Sequence, residues 1–394
     1  MLDRIKNVVQ RFRTDYTGAP GWWTHLRHVG TRSGAAINIE NSLSLSTVYA
    51  AVHKISSTVS TLTFDVRQAQ GEGSILAPTH PAHKLINFSP DGYSTASTFW
   101  ESIVANMLLY GKGYALVVRD SQTAEPIRLE YVPSPMVKAV VYEGQEYYEI
   151  KNLDKVVHSD SVLCIPYFMG LSPIELHRDT LGLAKDQQQY ASDYFRNGGA
   201  MTGVLVAEQP LKKEQLDIVR DTWNGQHEGT TRVLPTGFKY HRLAVPNSEA
   251  QFIEGREMSQ HEIARIFNVP AAMLGLDANT TYSNVEQAAI WYAKHTILPI
   301  CKRIEQEVNL KLIAPVERPN YYSQFNVQDL MKGDQRTRAE YYNILVQAGC
   351  ITPNEVRQAE NFNPLPGADV LRMPVNTVSL EEFNSYSQKM AAQD

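Results

Sequence analysis

The stretch from Phe252 to Leu312 constrains the fold more than any other part of the chain. It reads FIEGREMSQHEIARIFNVPAAMLG, LDANTTYSN and VEQAAIWYAKHTILPICKRIEQEVNLKL in succession. Helical patterning stops at Val269–Pro270, a short polar loop follows, and a second helix opens at Ser283. Ser283 and Glu286 have the S-x-x-E spacing of a capping box, in which each side chain satisfies a backbone N–H at the helix start. The pattern then runs on for about thirty residues, roughly 45 Å at 1.5 Å per residue. A helix of that length is a strut, longer than a globular core needs.

The strut carries its own bend. Pro299 lacks an N–H and pushes against the carbonyl of residue 295, which kinks a helix without ending it. Apolar spacing continues on both sides of it, through Ala288, Ala289 and Tyr292 and then Ile300, Ile304 and Val308. That continuity favours one kinked helix over two separate ones.

A chain of 394 residues suits two or three compact units, and 43% hydrophobic content suffices for a real core. No run of about 18 apolar residues exists, so no membrane span is expected. The opening MLDRIKNVVQRFR is amphipathic and basic, without the continuous apolar stretch of a secretory signal. Cys164, Cys301 and Cys350 are far apart in apolar or helical contexts and read as reduced core residues. With 37 basic and 42 acidic residues the net charge is −5. A protein that grips DNA statically shows a basic stripe, and none of useful length appears beyond the N-terminal arm. A neutral or acidic wall instead suits DNA that slides, because it repels phosphates.

Residues 1–41 read as an arm, with Leu2, Ile5, Val8, Val9 and Phe12 on one helical face expected to dock on protein. Ser42–Asp65 begins as a helix bearing Val48, Ala51, Val52, Ile55 and Val59 and passes into a strand at Leu62–Val66. Phe99–Tyr110 is a helix ended by Gly111, and Tyr114–Arg119 alternates as a strand. Val137–Tyr142 and Glu146–Ile150 flank a hairpin signal at Glu143-Gly144-Gln145, and Val162–Tyr167 closes this region. Ser172, Pro173 and Glu175 open a long helix that stops at Asn197-Gly198-Gly199. Its almost wholly polar middle, Lys185 to Gln189, suits packing between copies in a ring or an ordinary exposed helix better than burial in one core. Strands at Gly203–Ala207, Arg232–Leu234 and Phe238–Leu243 and a helix at Leu211–Asn224 form a compact insert before the helix Ser248–Phe267. Glu340–Val346 and Pro353–Ala359 form a helical pair around Gly349, and a thinly structured tail starts at Leu365-Pro366-Gly367.

These words, in this order, resemble the portal proteins of tailed double-stranded DNA phages, in the lineage with the lambdoid-type capsid. The resemblance rests on EIARIFNVPAAMLG (Glu262–Gly275), TYSNVEQA (Thr281–Ala288) and ILPICKRIEQEVNLKL (Ile297–Leu312). It extends to Ser44–Val66, Ser97–Asp120, Gly170–Gly199 and Asp334–Asp369, covering roughly Ser42 to Asp369. It implies an α+β fold: an α/β wing, a long-helix stem, a small α/β clip insert and a short helical crown. The implied boundaries are arm 1–41, first wing part 42–171, stem helices 172–199 and 248–270, and clip 200–247. Tunnel loop, kinked helix and second wing part take 271–339, and crown and tail 340–394.

The resemblance further implies a ring of identical subunits, dodecameric at one capsid vertex, conducting double-stranded DNA. Its other partners would be the terminase large subunit, a head-tail adaptor and the major capsid protein or scaffold. No cofactor, metal or catalytic residue is implied. The loop Leu276, Asp277, Asn279, Thr280, Thr281 and Tyr282 would project into the channel and touch DNA.

Two other classes fit less well. A metal-dependent hydrolase would use the pairs His25/His28 and His80/His83, but neither has the further Cys or His that zinc wants. Gly111-Lys112-Gly113 is no P-loop, since Asn106 stands where a Gly belongs and no Ser or Thr follows the Lys. His261–Val269 resembles the first helix and turn of a helix-turn-helix, but the apolar Pro270–Gly275 follows where a base-reading helix would need Arg, Lys, Asn or Gln.

Overall fold

The first long helix forms where the apolar spacing predicts. The computed structural model describes residues 37–71, 73–151, 155–196, 203–207, 238–242, 249–277, 282–327, 330, 335–360 and 362–372. Helix α1 (Ser46–Thr61) buries Val48, Ala51, Val52, Ile55 and Val59 along one stripe. Strand β1 (Phe64–Gln70) follows and pairs antiparallel with β2 (Gly73–Leu76). Helix α2 (Ala96–Tyr110) packs on α1 and buries Phe99, Trp100, Ile103, Val104, Met107 and Leu108. Its end shows what the Gly-Lys-Gly sequence does. Gly111 has φ 83°, and a Cβ there would lie 2.4 Å from the Leu171 carbonyl carbon. Only glycine gives both the left-handed turn and that approach of two backbones.

Strands β3 (Lys112–Arg119), β4 (Pro126–Val132) and β8 (Val162–Pro166) form an antiparallel sheet in the order β4-β3-β8. A second sheet orders β5 (Val137–Tyr142), β6 (Gln145–Ile150) and β7 (Lys155–His158). Its first turn holds Glu143 and Gly144 at φ 50° and 77°, the two positive values that a tight two-residue hairpin needs. Strands β9 (Gly203–Ala207) and β10 (Phe238–Arg242) pair antiparallel in the insert. The expected helix Leu211–Asn224, strand Arg232–Leu234, stop at 197–199 and arm face at 2–13 lie outside the described residues.

The helix expected from Ser172 is divided. Ser172 Oγ accepts the Glu175 N–H at 3.2 Å and donates to the Leu109 carbonyl at 2.5 Å, capping a short helix Pro173–Leu176. His177 leaves helical geometry at φ −111° and ψ 31°, and α3 (Arg178–Arg196) begins after it. The polar middle of α3 is used partly within the subunit. Gln187 accepts from Ser259 Oγ of α4 (Glu249–Ile266) at 2.8 Å, and Lys185 donates to Ser44 Oγ at 2.6 Å.

Helix α5 (Tyr282–Tyr292) runs through a π-turn at Ala293–Ile297 into α6 (Leu298–Leu312). Strand β11 (Tyr321–Phe325) then pairs with β1, giving the sheet order β11-β1-β2. Phe325 lies opposite Phe64, their rings stacked at 3.8 Å with Trp100 edge-on to Phe64 at 5.4 Å. Helix α6 terminates two sheets with its side chains. Glu305 Oε1 accepts the Phe325 N–H at 2.9 Å and Asn309 Oδ1 accepts the Ser323 N–H at 2.7 Å, both on β11. Half a turn round, Glu307 Oε1 accepts the Cys164 N–H of β8 at 3.1 Å. These backbone donors would otherwise be unpaired at a sheet edge.

The chain divides into two compact units, Met1–Val327 and Gln328–Asp394. In the second, α7 (Gln335–Gln347) and α8 (Pro353–Ala359) flank Gly349. Thr352 and Glu355 form a full capping box. The segment after α8 is tied down by Asn354, which bonds Leu365 through both its amide atoms and donates to Asp369 Oδ1 at 2.8 Å. Cys301 is buried and Cys164 half-buried, but Cys350 is exposed, contrary to the expectation that all three are core residues. Its place in the turn after α7 explains this, since connecting segments run over the surface. No helix among the described residues is long and apolar enough to cross a membrane.

Candidate functional site

The site is the junction between α4 and the interrupted helix. Helix α4 ends in a complete Schellman arrangement: Val269 N–H donates to the Ala264 carbonyl at 2.9 Å and Asn268 N–H to Arg265 at 3.0 Å. Asn268 takes the left-handed position at φ 56°, which asparagine tolerates better than most residues. Phe267, Ala264 and Val269 are buried beneath it. Pro270 then leads into a single 3-10 turn, Ala271–Leu274, closed by Gly275 at φ 71°. A base-reading second helix does not form here, so the helix-turn-helix reading of His261–Val269 fails.

Pro299 sets the other side of the junction. Without its N–H, the His295 carbonyl loses its α-helical donor. The helix answers with the π-turn, in which Leu298 N–H donates to the Ala293 carbonyl. Asn268 Nδ2 supplies the missing donor to His295 O from outside, at 3.0 Å. The Thr296 hydroxyl donates back to the Asn268 carbonyl. Two bonds therefore tie the C-terminus of α4 to the π-turn. Ala293, Thr296 and Ile297 are buried there, and Tyr292 OH donates to the Lys54 carbonyl of α1 at 3.1 Å. Burial pushes the Tyr292 phenol up to about 12.

Open space flanks this tie on both sides. A groove of about 710 Å³ is lined by His261, Arg265, Pro270, Gln287 and Trp291 on one side. On the other, a cavity of about 350 Å³ is lined by Phe168, Leu171, His177, Ile266 and Arg303. Burial lowers the His177 pKa, which keeps that imidazole neutral. Asn268 borders both spaces.

Of the residues singled out in the loop, Leu276 is half-buried, its N–H bonded to the Ala271 carbonyl at 3.1 Å. Asp277 is exposed, 4.0 Å from His261 Nε2. Asn279, Thr280 and Thr281 lie outside the described residues. The helix begins at Tyr282, so Ser283 is its second residue. Glu286 is exposed on the first turns. Pro299 is the second residue of α6, just after the π-turn. Asn268 was missed as a site residue. Its one sequence signal is the Asn-Val-Pro run, an asparagine at a helix stop.

The histidine pair His80/His83 serves the backbone. His80 Nδ1 accepts from Ala82 N–H at 3.1 Å, and His83 Nδ1 accepts from Val66 N–H at 3.2 Å. Among the described residues no group of three or more His, Cys, Asp or Glu is placed to hold a metal ion. His25 and His28 lie outside them.

Residues 46–361 match the family of phage portal proteins. The chain belongs to that family. It is 26% identical over 411 residues to the portal protein of Enterobacteria phage HK97, covering 95% of this chain and 97% of that one. The probable portal protein of Streptomyces phage phiC31 is 26% identical over 370 residues, covering 87% and 80%. The fold is similar to a crystal structure of an HK97 family phage portal protein from Corynebacterium diphtheriae. There the TM-score is 0.59 and the identity 18%, covering 75% of this chain and 98% of that one. It also resembles a chain from the C12-symmetric neck of a native gene transfer agent particle, with TM-score 0.53, 17% identity and coverage of 89% and 97%. The phage portal function therefore holds for this chain, and neither the hydrolase nor the DNA-binding regulator finds support.

Proposed function

We propose that this portal-family chain assembles into a ring, dodecameric at one capsid vertex, through which double-stranded DNA enters during packaging and leaves at infection. The observation that carries the reading is the family match over residues 46–361, joined to a loop that runs from the end of α4 to α5, with Asn268 after α4 bonded to His295 in the π-turn beyond α5. In this reading Leu276, Asp277, Asn279, Thr280, Thr281 and Tyr282 face the bore. The uncharged hydroxyl and amide groups of Asn279, Thr280 and Thr281 contact phosphates weakly, and a ring that repeats them gains grip by multiplicity. The net charge of −5 suits a conduit that DNA slides through.

The chain supplies the conduit and no chemistry. A terminase large subunit does the work from the insert containing β9 and β10, and a head-tail adaptor later docks there. The outer α/β region meets the major capsid protein or scaffold. Assembly takes place in the host cytoplasm. Exposed apolar residues on the stem helices favour packing between copies: Leu183 and Tyr190 on α3, and Ile253 and Met258 on α4.

Negative-stain images and mass photometry of the purified chain test the ring directly. An open-centred ring is expected, and monomers at every salt and protein concentration would rule the reading out. Replacing Thr280 and Thr281 with glutamate should impair packaging in an intact ring. Packaging at the normal rate would remove the loop from the bore.

A further inference from the structure

We infer that Asn268 is the positioning residue of the portal's loop: it latches the end of α4 onto the proline-broken carbonyl of the long helix, and so fixes where the intervening connection starts and ends. The inference deepens the channel reading above and rests on it for its consequence in DNA passage, but not for its geometry.

Four observations converge. Pro299 removes the α-helical donor to His295 O, and the π-turn bond runs from Leu298 N–H to the Ala293 carbonyl. Asn268 Nδ2 fills the gap at 3.0 Å, across 27 residues of sequence. Thr296 returns a bond to the carbonyl of the same Asn268. Asn268 reaches this position only because it occupies the left-handed residue of the Schellman arrangement, with φ 56°. One residue thus closes α4, bonds the carbonyl that Pro299 deprives of its α-helical donor and receives that helix's hydroxyl.

The surroundings show what the latch controls. Packed side chains hold α1 to the π-turn through Tyr292, yet the groove of about 710 Å³ and the cavity of about 350 Å³ leave space on either side of Asn268. A junction packed on both faces would need no side-chain tie. Here polar bonds set the distance between the end of α4 and the π-turn, and breaking them lets the two shift into existing space. π-turns and prolines are the places where helices bend most readily.

The test uses the assembled ring. Asn268→Gly keeps the positive φ and removes only the side chain. By hydrogen–deuterium exchange, amides of residues 264–276 and 291–300 should exchange about threefold faster, the loss of one exposed hydrogen bond. Asn268→Asp should be worse than Asn268→Gly, because a carboxylate faces the His295 carbonyl. Thr296→Val, an isosteric change, breaks the return bond without touching the end of α4 and should loosen the same amides. The deciding variant is Pro299→Ala. It restores an N–H four residues beyond His295, so Asn268→Gly in that background should add little.

If Asn268→Gly leaves exchange unchanged, or loosens it equally with and without Pro299, the latch does not exist. DNA packaged per ring is the separate readout. Asn268→Gly rings should package less DNA, and Asn268→Gly with Pro299→Ala should recover part of it. Loosened amides with normal packaging would keep the latch and sink the loop's role in the bore.

Discussion

The two halves of the interrupted helix are built by opposite rules. Helix α6 buries Ile300, Cys301, Ile304, Val308 and Leu312, and its polar side chains Glu305, Glu307 and Asn309 each accept from a strand. Helix α5 leaves Val285, Ile290 and Trp291 more than a third exposed, and Asn284, Glu286 and Gln287 stand in solvent. Between them, Tyr292, Ala293, Thr296 and Ile297 are buried. One helix therefore has a half welded to two sheets and a half held mainly at its root. Stability in a protein is not uniform, and segments that must respond to a ligand are drawn from its weaker end. The loop adjoins the weaker half.

That contrast can be broken at several points. Ile304→Ala in α6 empties a fully buried position and should cost about 3 kcal/mol by denaturant unfolding. The same change at Ile290 of α5 should stay within about 0.5 kcal/mol. Equal losses at the two positions would erase the distinction. Glu305→Ala comes next. It strands the buried Phe325 N–H and unpairs Lys302, whose Nζ lies 2.6 Å from Glu305, so about 2 kcal/mol should be lost. Tyr292→Phe removes the bonds to the Lys54 carbonyl and Thr58 Oγ1 and should cost about 1 kcal/mol, with faster exchange confined to the π-turn and the facing part of α1.

The smallest effect concerns pH. Burial raises the Glu307 pKa above the ordinary 4.5, against the bond from Cys164 N–H and the nearby Lys311. A carboxyl raised on folding favours the folded state at pH below its unfolded value, and that contribution is lost as pH rises through the folded one. Glu307→Gln keeps an acceptor for the Cys164 N–H and carries no charge. It should therefore be slightly more stable than the parent at pH 7, with the advantage gone below pH 4.5. A constant difference across that range would show that Glu307 is better solvated than its burial implies.

The helices were legible because their apolar stripes repeat locally. Residues Val48 to Val59 and Phe99 to Leu108 announce α1 and α2 without any partner. The hairpin at Glu143-Gly144 was legible for the same reason: two adjacent residues carry the whole signal. Strand β11 was not, since Tyr321–Phe325 becomes a strand only by pairing with β1, some 250 residues earlier. The break at His177 escaped because both flanking segments are helical by pattern, and only Ser172 bonding to Leu109 fixes the first one's direction.

At the junction the sequence showed a lost bond and no more. Pro299 states that a donor is missing, but neither the π-turn nor Asn268 can be read from it. A side chain that completes another helix's backbone has no periodicity. The nearest hint was the asparagine at the end of α4, visible as a stop and silent about its partner.

The carboxylates and amide of α6 have one more effect. A row of bare strand donors is an invitation to any passing segment of extended chain, and many copies crowded together while folding would accept it from one another. Glu305, Asn309 and Glu307 occupy three of those donors with groups that no second strand can extend. At β11 and β8 those positions offer no ladder on which chain after chain could be added into a fibre.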